Sequence, residues 1–259
     1  MNRVKKVLGI GLAAGVMMMS AGTADAADVT VGSDLASSYV WRGITLNKDA
    51  VVQPWVDIAH PSGVALNIWA NFDLGDDDGT FEKREFSEVD FDVSYTHDFE
   101  LASVTVGYIE YVYPNQIWSI EVVEDEAVVE RATADREAYV HVGGEPVPGL
   151  GVAVTVYQDL SNSEGTYAVL SGSYGHDVIE GFSLALNGSV AYTARGALNE
   201  PLKSGWHDYK VGVAADMAVM EDVAVHAFVN YVGTLDSDVL PSAAVREDVY
   251  GGIGVYHMF

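Results

Sequence analysis

The sequence predicts an all-β protein, a transmembrane antiparallel up-and-down β-barrel of about 12 strands that follows an N-terminal signal peptide. Three observations predict this fold class. Apolar and polar residues alternate with a period of two through most of the chain, short and long connections alternate between these segments, and an export-type leader precedes them. Outer-membrane barrels combine these features, because their strands present one face to lipid and the other to the lumen.

The predicted leader occupies residues 1–26, and the barrel is predicted for residues 27–259. The leader begins with three bases, continues as an uncharged apolar run over 7–19, and ends in the small-residue pattern Ala24-Asp25-Ala26. This three-part pattern is typical of a secretory signal peptide. A membrane anchor is the alternative, but the run is shorter than the ~20 residues that span a bilayer. Cleavage removes three bases and one acid, which changes the formal net charge from −25 to −27.

The alternation of side chains predicts each strand in turn. In the segment after Gly181, Phe182 and Leu184 share one face, whereas Ser183 and Asn187 share the other, a separation that strands produce and helices do not. The twelve predicted segments lie near 28–42, 50–60, 64–74, 87–97, 101–113, 135–144, 150–159, 165–176, 182–194, 206–218, 223–234 and 247–259.

The connections between these segments favour a membrane barrel over a soluble β-sandwich, which also alternates apolar and polar faces. Short connections, as at 61–63 and 98–100, mostly alternate along the chain with long ones, as at 75–86 and 114–134. The strands exceed the ~5–6 residues that are usual in soluble sheets and match a tilted membrane crossing. Aromatic residues gather at strand ends, as a bilayer interface favours. They are Phe99, Phe182 and Phe259 at the inner rim and Trp41, Tyr192, Tyr209 and Tyr231 at the outer rim.

The composition excludes several classes of protein. The 38 acidic residues outnumber the 13 Lys and Arg residues, and such an acidic chain repels nucleic acid. Because cysteine is absent, disulfide frameworks, thiolate metal sites and cysteine nucleophiles are excluded. No HExxH, GxSxG or phosphate-loop motif is present, so we expect no catalytic residues, no cofactor and no metal site.

The strand parity predicts which side chains face the lumen. Carboxylates predominate among them, and they would be costly in a dry core but are tolerated in a water-filled lumen. A barrel of twelve strands is expected to hold a narrow pore or a partly packed interior. The pore-lining candidates are Asp34, Arg42, Asp57, Asp73, Glu88, Asp90, Asp92, Lys210 and Asp216.

Four further expectations concern the lumen and its outer mouth. Arg42 is expected to face inward near the mouth and to pair with a carboxylate such as Asp73. The acidic segment 114–134 is either a loop that folds into the pore or, as we favour, a solvated hairpin. Small inward residues are expected to leave some open space, namely Gly212, Ala214, Gly252 and Gly254. His226 is expected to point inward rather than to lipid.

These features predict an outer-membrane channel for the passive diffusion of small hydrophilic solutes, with a preference for cations. A non-conducting structural or adhesive barrel is the main alternative, and a lipid-modifying barrel enzyme is a weaker one. The expected partners are outer-membrane lipid, the permeating solutes or cations, and the barrel assembly machinery, which would read the C-terminal Phe259. No nucleic-acid partner is expected.

A stretch of about forty-five residues near the start of the barrel resembles the TorF-type porin family. The resemblance rests on Tyr39-x-x-Arg42-Gly43, Gln53-x-x-x-Asp57, the Ser62-Gly63 turn and Trp69-Ala70. It implies an exported outer-membrane barrel that is assigned as a porin by its fold, and it implies nothing about a substrate. The C-terminus departs from the usual barrel signal, because His257 stands where an aromatic residue often precedes the terminal Phe by two positions.

Overall fold

The computed structural model describes residues 26–75, 83–115, 117–123, 126–131, 134–161, 165–195 and 203–259. Apart from Ala26, the predicted signal peptide lies outside the described residues. The strands are β1 (Asp28–Ala36), β2 (Tyr39–Trp41), β3 (Ile44–Asn47), β4 (Val51–Ala59), β5 (Val64–Asp73), β6 (Phe86–Asp98), β7 (Ser103–Val112), β8 (Ile117–Val123), β9 (Glu126–Arg131), β10 (Asp135–Val147), β11 (Leu150–Asp159), β12 (Thr166–Ile179), β13 (Phe182–Ala194), β14 (Gly205–Ala218), β15 (Val223–Thr234) and β16 (Val249–Met258).

Twelve of these strands form a closed antiparallel barrel, which confirms the predicted fold class. The order around the barrel is β1, β4, β5, β6, β7, β10, β11, β12, β13, β14, β15 and β16. The first and last strands close it, with a register that runs from Thr30 opposite Met258 to Ala36 opposite Gly252. Neighbouring strands are also neighbours in sequence, apart from two inserted hairpins and the closure. A short 3-10 helix spans Ser242–Ala244. None of the helices in the described ranges has the length and apolar character needed to span a membrane.

The alternation of burial follows the alternation in the sequence. On β15, Asn230 and Val232 are buried, whereas the intervening Tyr231 and the preceding Val229 are exposed. The exposed side chains on most strands are large and apolar, and the side chains on the other face are polar, aromatic or small. This is the arrangement of a barrel whose outer face meets lipid and whose inner face lines the lumen.

The lipid-facing band supports a stability prediction. Leu186 lies within β13 opposite Val213, and it is 59% exposed. A charge there would have to enter the bilayer, so Leu186→Arg is expected to lower the free energy of unfolding by about 2–4 kcal/mol. Urea unfolding in lipid vesicles measures this change. Leu101→Arg, in a turn, is the matched control and should lower it by less than about 1 kcal/mol. Equal effects at both positions would contradict the placement of β13 across the membrane.

One predicted strand ends earlier than the sequence indicated. The segment 28–42 was expected to be continuous, but the barrel strand ends at Ala36, and β2 and β3 form a separate two-stranded hairpin. Arg42 and Gly43 form its two-residue turn, with φ angles of 47° and 81°. Positive φ at both central residues is typical of the tight turn that suits a twisted hairpin. Here, hairpin 39–47 denotes this segment.

The segment 117–131 forms a second hairpin, in which β8 pairs with β9 and with no barrel strand. This pairing agrees with the hairpin alternative for 114–134. The loop that enters the lumen is instead hairpin 39–47, because its residues pack against the inner faces of β5, β15 and β16. Trp41 therefore belongs to the lumen rather than to the outer aromatic rim. The other expected outer-rim aromatics face outward, and Tyr192 and Tyr231 are 41% and 43% exposed.

Three apolar and aromatic clusters occupy the inside of the barrel. The first, around hairpin 39–47, includes Tyr39, Val51, Phe228 and Val232. The second consists of Ile109, Tyr111, Tyr139 and Tyr157, and the third of Trp55, Ala224 and Tyr256. The interior is therefore partly packed, one of the two arrangements expected for twelve strands.

The inward glycines do not leave the open space that was expected of them. A Cβ atom at Gly252 would lie 2.8 Å from the ring of Phe228, and one at Gly254 would meet Asp34 and His226. At Gly212, the side chains of Asn187 and Asn230 occupy the corresponding volume. Large inward side chains on neighbouring strands thus fill the room that the glycines provide.

Candidate functional site

The candidate site is the barrel lumen together with hairpin 39–47. Eight of the nine predicted pore-lining residues lie on the inner faces of barrel strands, buried or half-buried as their parity indicated. They are Asp34, Asp57, Asp73, Glu88, Asp90, Asp92, Lys210 and Asp216. The ninth, Arg42, does not belong to the barrel wall, because it lies at the tip of hairpin 39–47.

Two carboxylates near the outer mouth hold the base of the hairpin. The Tyr39 hydroxyl donates a hydrogen bond of 2.7 Å to Glu88 on β6. The Asn47 amide donates one of 2.6 Å to Asp73 on β5, and Asn71 donates a second to the same oxygen at 3.0 Å. Fixed hydrogen-bond donors therefore stabilise these carboxylates, which lowers the cost of burying them.

Other carboxylates interact with polar groups of the wall. Asn67 donates a hydrogen bond of 2.6 Å to Asp57, and the Tyr139 hydroxyl lies 3.0 Å from the nearer oxygen of Asp92. His226 faces inward, as parity predicted, with its Nε2 atom 2.7 Å from Asp34. A hydrated lumen with such polar partners can hold carboxylates that a dry core would not.

Arg42 forms a bidentate ion pair in the lumen, and its partner is Glu137 rather than Asp73. The two guanidinium nitrogens lie 2.7 and 2.6 Å from the two carboxylate oxygens, a bidentate arrangement. Burial is the largest single effect and lowers the pKa of the Arg42 guanidinium, but the attraction and hydrogen bonds of Glu137, together with the attraction of Tyr111 and Tyr167, raise that pKa above its ordinary value. Arg42 therefore remains a cation, held in a left-handed backbone conformation that costs about 1–2 kcal/mol.

Aromatic rings enclose the same guanidinium. The Arg42 Cζ atom lies 4.4, 4.6 and 4.3 Å from the ring centroids of Trp41, Tyr157 and Tyr167. These distances are within the range of cation–π attraction. The Tyr111 hydroxyl adds a hydrogen bond of 2.8 Å to Glu137. The tip of the hairpin is thus bound to the wall by a charge pair and by the rings of Tyr157 and Tyr167, while the Trp41 ring of the hairpin itself packs on the same guanidinium.

The strand order shows how far the hairpin reaches. It leaves the barrel between β1 and β4, whereas Glu137 lies on β10, five strands away from β1 in a barrel of twelve. On the other side of the tip, a Cβ atom at Gly43 would lie 2.8 Å from the Cβ of Asp208 on β14. The hairpin therefore crosses most of the lumen, and its tip contacts the inner wall at both β10 and β14.

The loop 235–248 contacts hairpin 39–47 at the outer mouth of the barrel. The backbone N–H groups of Arg246 and Glu247 each donate a hydrogen bond of 3.0 Å to the Thr45 hydroxyl. Leu240, in the same loop, is fully buried, and its side chain would lie 2.9 Å from a Cβ atom at Gly43. The outer mouth is thus narrowed by two interlocked loops.

Sequence reasoning missed the aromatic part of the wall opposite the hairpin. Tyr111, Tyr139, Tyr157 and Tyr167 face inward from β7, β10, β11 and β12, which are consecutive strands. The ring centroids of Tyr139 and Tyr157 are 5.5 Å apart, and those of Tyr157 and Tyr167 are 6.3 Å apart. Glu137 was missed as well. The parity of β10, read from Glu137, Tyr139 and His141, could have identified both.

Acidic side chains outnumber basic ones in the described part of the lumen. At least nine carboxylates face it, against the cationic side chains of Arg42 and Lys210. The carboxylates are Asp34, Asp57, Asp73, Glu88, Asp90, Asp92, Glu137, Asp208 and Asp216. Within the described ranges, no three His, Asp or Glu side chains are arranged to hold a metal ion.

The fold is similar to those of solved outer-membrane channels, at low sequence identity. The KdgM porin matches with a TM-score of 0.54 and 10% identity over 90% of this chain and 99% of that chain. An outer membrane channel from Pseudomonas putida matches with a TM-score of 0.55 and 10% identity, over 92% and 97%. The NanC porin matches with a TM-score of 0.51 and 12% identity, over 90% and 100%.

Among curated proteins, none matches this chain. A family model does match, over residues 20–251, and its description is a bacterial protein of unknown function, Gcw_chp. The TorF resemblance stays a prediction. Since the match spans most of the sequence and the whole of the barrel up to the last strand, the chain belongs to the Gcw_chp family.

Proposed function

We propose that this protein is an outer-membrane channel through which small hydrophilic solutes diffuse passively, with a preference for cations and with hairpin 39–47 as its constriction. The observation that carries the proposal is the excess of carboxylates on the inner face of a closed twelve-strand barrel. A soluble barrel would not expose an apolar band of this extent, and a purely structural barrel has no need of an acidic interior. The proposal includes the predicted export and the insertion of the outer face into lipid.

Electrostatics gives the cation preference. A cleft lined by one sign of charge with low-dielectric walls concentrates ions of the opposite sign. Two unit charges 4 Å apart interact by about 4 kcal/mol at an effective dielectric constant near 20, which is enough to discriminate ions strongly. Rings of carboxylates select cations in other channels by the same physics.

The lumen chemistry also indicates which solutes the channel disfavours. The KdgM porin has been solved in complex with oligogalacturonate, a chain of acidic sugars. An anion of that kind would meet carboxylates such as Asp57 and Asp92 here, and each would repel it. We therefore assign this channel cationic or neutral solutes rather than acidic oligosaccharides.

A non-conducting barrel is the second candidate, and the packed interior favours it. The cluster around Tyr39 and Phe228 and the cross-lumen contact of Arg42 both reduce the open cross-section. The two candidates differ in one property, because only the channel carries ionic current when the folded protein is placed in a bilayer.

We also propose that the barrel assembly machinery recognises the last strand and the adjoining Phe259. The Phe259 side chain is 67% exposed, and its backbone N–H donates a hydrogen bond of 2.9 Å to Val29 on β1. The His257 ring lies 4.2 Å from the Phe259 ring and occupies the position of the missing aromatic residue. Phe259 is thus accessible on the outer face at the seam of the barrel.

The charges on β6 provide the test of the cation preference. The double variant Asp90→Asn with Asp92→Asn is expected to lower the ratio of potassium to chloride permeability severalfold, because it removes two lumen charges. Reversal potentials in planar bilayers under a KCl gradient measure this ratio. Glu180→Gln with Glu221→Gln removes the same charge from exposed turns and should leave the ratio nearly unchanged.

Two results would overturn the proposal. The first is the absence of current from protein that migrates as a folded, heat-modifiable barrel. The second is equal permeability ratios for the β6 variant and the turn variant, which would place the selectivity outside the lumen.

A further inference from the structure

The wall groups that hold Arg42 form a binding site in their own right. Four residues of barrel strands, and none of hairpin 39–47, form it: Tyr111 on β7, Glu137 on β10, Tyr157 on β11 and Tyr167 on β12. Here these four residues are called the wall cage. The guanidinium of Arg42 fills the wall cage from a separate, non-barrel hairpin.

Each member of the wall cage has a support other than Arg42. The Tyr111 hydroxyl donates a hydrogen bond of 2.8 Å to Glu137. The Tyr167 hydroxyl donates one of 2.8 Å to Asp208 on β14, and the Tyr157 ring lies between those of Tyr139 and Tyr167. The cage is therefore preorganised, so a ligand would not have to order it on binding.

From this we infer that the wall cage is a recognition site for small guanidinium-bearing solutes, and that Arg42 occupies it as an internal stand-in for the ligand. The inference rests on the proposed channel function, since the solute reaches the cage through the lumen. A planar fork matches the carboxylate through two parallel hydrogen bonds, and its flat faces stack on aromatic rings. An ammonium group has neither property, so the site is expected to discriminate between the two cations.

The tethering of Arg42 makes it a competitor of the solute. A group attached to the same chain acts at a high effective concentration, so a free ligand binds weakly while Arg42 is in place. Release of the hairpin, or removal of the Arg42 side chain, exposes the cage. The same contact that narrows the lumen therefore regulates access to the site.

The test measures binding without current. Folded Arg42→Ala in detergent micelles is titrated with methylguanidinium by calorimetry, and methylammonium is the comparison probe. We expect methylguanidinium to bind Arg42→Ala at least about tenfold more tightly than it binds the wild type, and more tightly than methylammonium. Glu137→Gln added to Arg42→Ala should abolish the gain. Arg136→Ala, which removes an exposed arginine and leaves Arg42 in place, should bind like the wild type.

The outcome decides the inference independently of the channel. Equal affinity of wild type and Arg42→Ala for methylguanidinium, or equal affinity of the two probes, would overturn the cage, even if the protein conducts. Tight binding by a barrel that carries no current would support the proposed binding site and contradict the proposed channel function. Heat-modifiable migration identifies folded protein, and Arg42→Met, which keeps the apolar stem, replaces the alanine variant if that variant does not fold.

Discussion

Arg42→Ala is expected to raise the single-channel conductance severalfold. The guanidinium joins the tip of hairpin 39–47 to Glu137 on the far wall, through two hydrogen bonds of 2.6 and 2.7 Å. Without it, the tip loses its main attachment across the lumen, and the permeation path widens. The same variant leaves the Glu137 carboxylate, which is 9% exposed, without its cation. Breaking a buried pair in this way should lower the free energy of unfolding by about 3–5 kcal/mol.

The control is Arg136, which precedes Glu137 on β10 and faces outward. Arg136→Ala removes a cation whose side chain is 53% exposed and whose partner, Glu110, lies 3.5 Å away. An exposed pair contributes at most about 1 kcal/mol, and it does not bridge the lumen. Conductance in planar bilayers and urea unfolding in vesicles compare the two variants. Equal conductance of Arg42→Ala and Arg136→Ala would show that the hairpin does not limit the current.

A reversible crosslink is expected to restore the constriction that Arg42→Ala removes. A Cβ atom at Gly43 would lie 2.8 Å from the Cβ of Asp208, so a small outward shift reaches the ~3.8 Å of a disulfide. The triple variant with Arg42→Ala, Gly43→Cys and Asp208→Cys should conduct like the wild type when oxidised. Reduction should raise its conductance to that of Arg42→Ala. The chain has no natural cysteine, so any thiol effect comes from the introduced pair.

One control variant and detection of the disulfide by mass spectrometry make the crosslink decisive. Arg42→Ala with Asp208→Cys alone contains one thiol, and its conductance should not respond to reduction. The left-handed φ of 81° at Gly43 means that a cysteine there is strained by about 1 kcal/mol, which a folded barrel tolerates. If mass spectrometry shows the disulfide and the oxidised protein still conducts like Arg42→Ala, the hairpin is not the constriction.

The barrel was predictable because each strand has lipid on one face and the lumen on the other, which imposes a simple alternation of apolar and polar side chains. In β13 and β15, lipid on one side and the lumen on the other impose alternation over the full strand. The predicted bounds of 182–194 and 223–234 agree with the strands Phe182–Ala194 and Val223–Thr234. Closure also follows, because lipid tolerates no unpaired strand edge.

Hairpin 39–47 was not predictable from alternation. Tyr39 and Trp41 continue the period of β1, so parity alone could not detect that the chain leaves the barrel after Ala36. The turn at Arg42-Gly43 lacks the Asn-Gly or Asp-Gly pair that usually marks such hairpins. Arg42 adopts the left-handed conformation because distant groups bind its side chain, and these distant contacts have no local signature in the sequence.

The partner of Arg42 was missed for a related reason. Glu137 is 95 residues away in sequence, and only the strand order brings it opposite the hairpin. The inward tyrosines were missed because tyrosine occurs both at a lipid interface and in a polar lumen. Tyr231 is an example of the first and Tyr157 of the second. The carboxylates on β6 lie on its inner face, the face that their parity indicates, because their charge excludes the lipid side.

The acid-lined channel is tested most directly by the reversal potential of the folded wild-type protein in a planar bilayer that separates two KCl concentrations. The carboxylates of the lumen predict a reversal potential displaced toward the potassium equilibrium potential, and a smaller displacement in Asp90→Asn with Asp92→Asn. A displacement toward the chloride equilibrium potential, or folded barrels that carry no current, would contradict it.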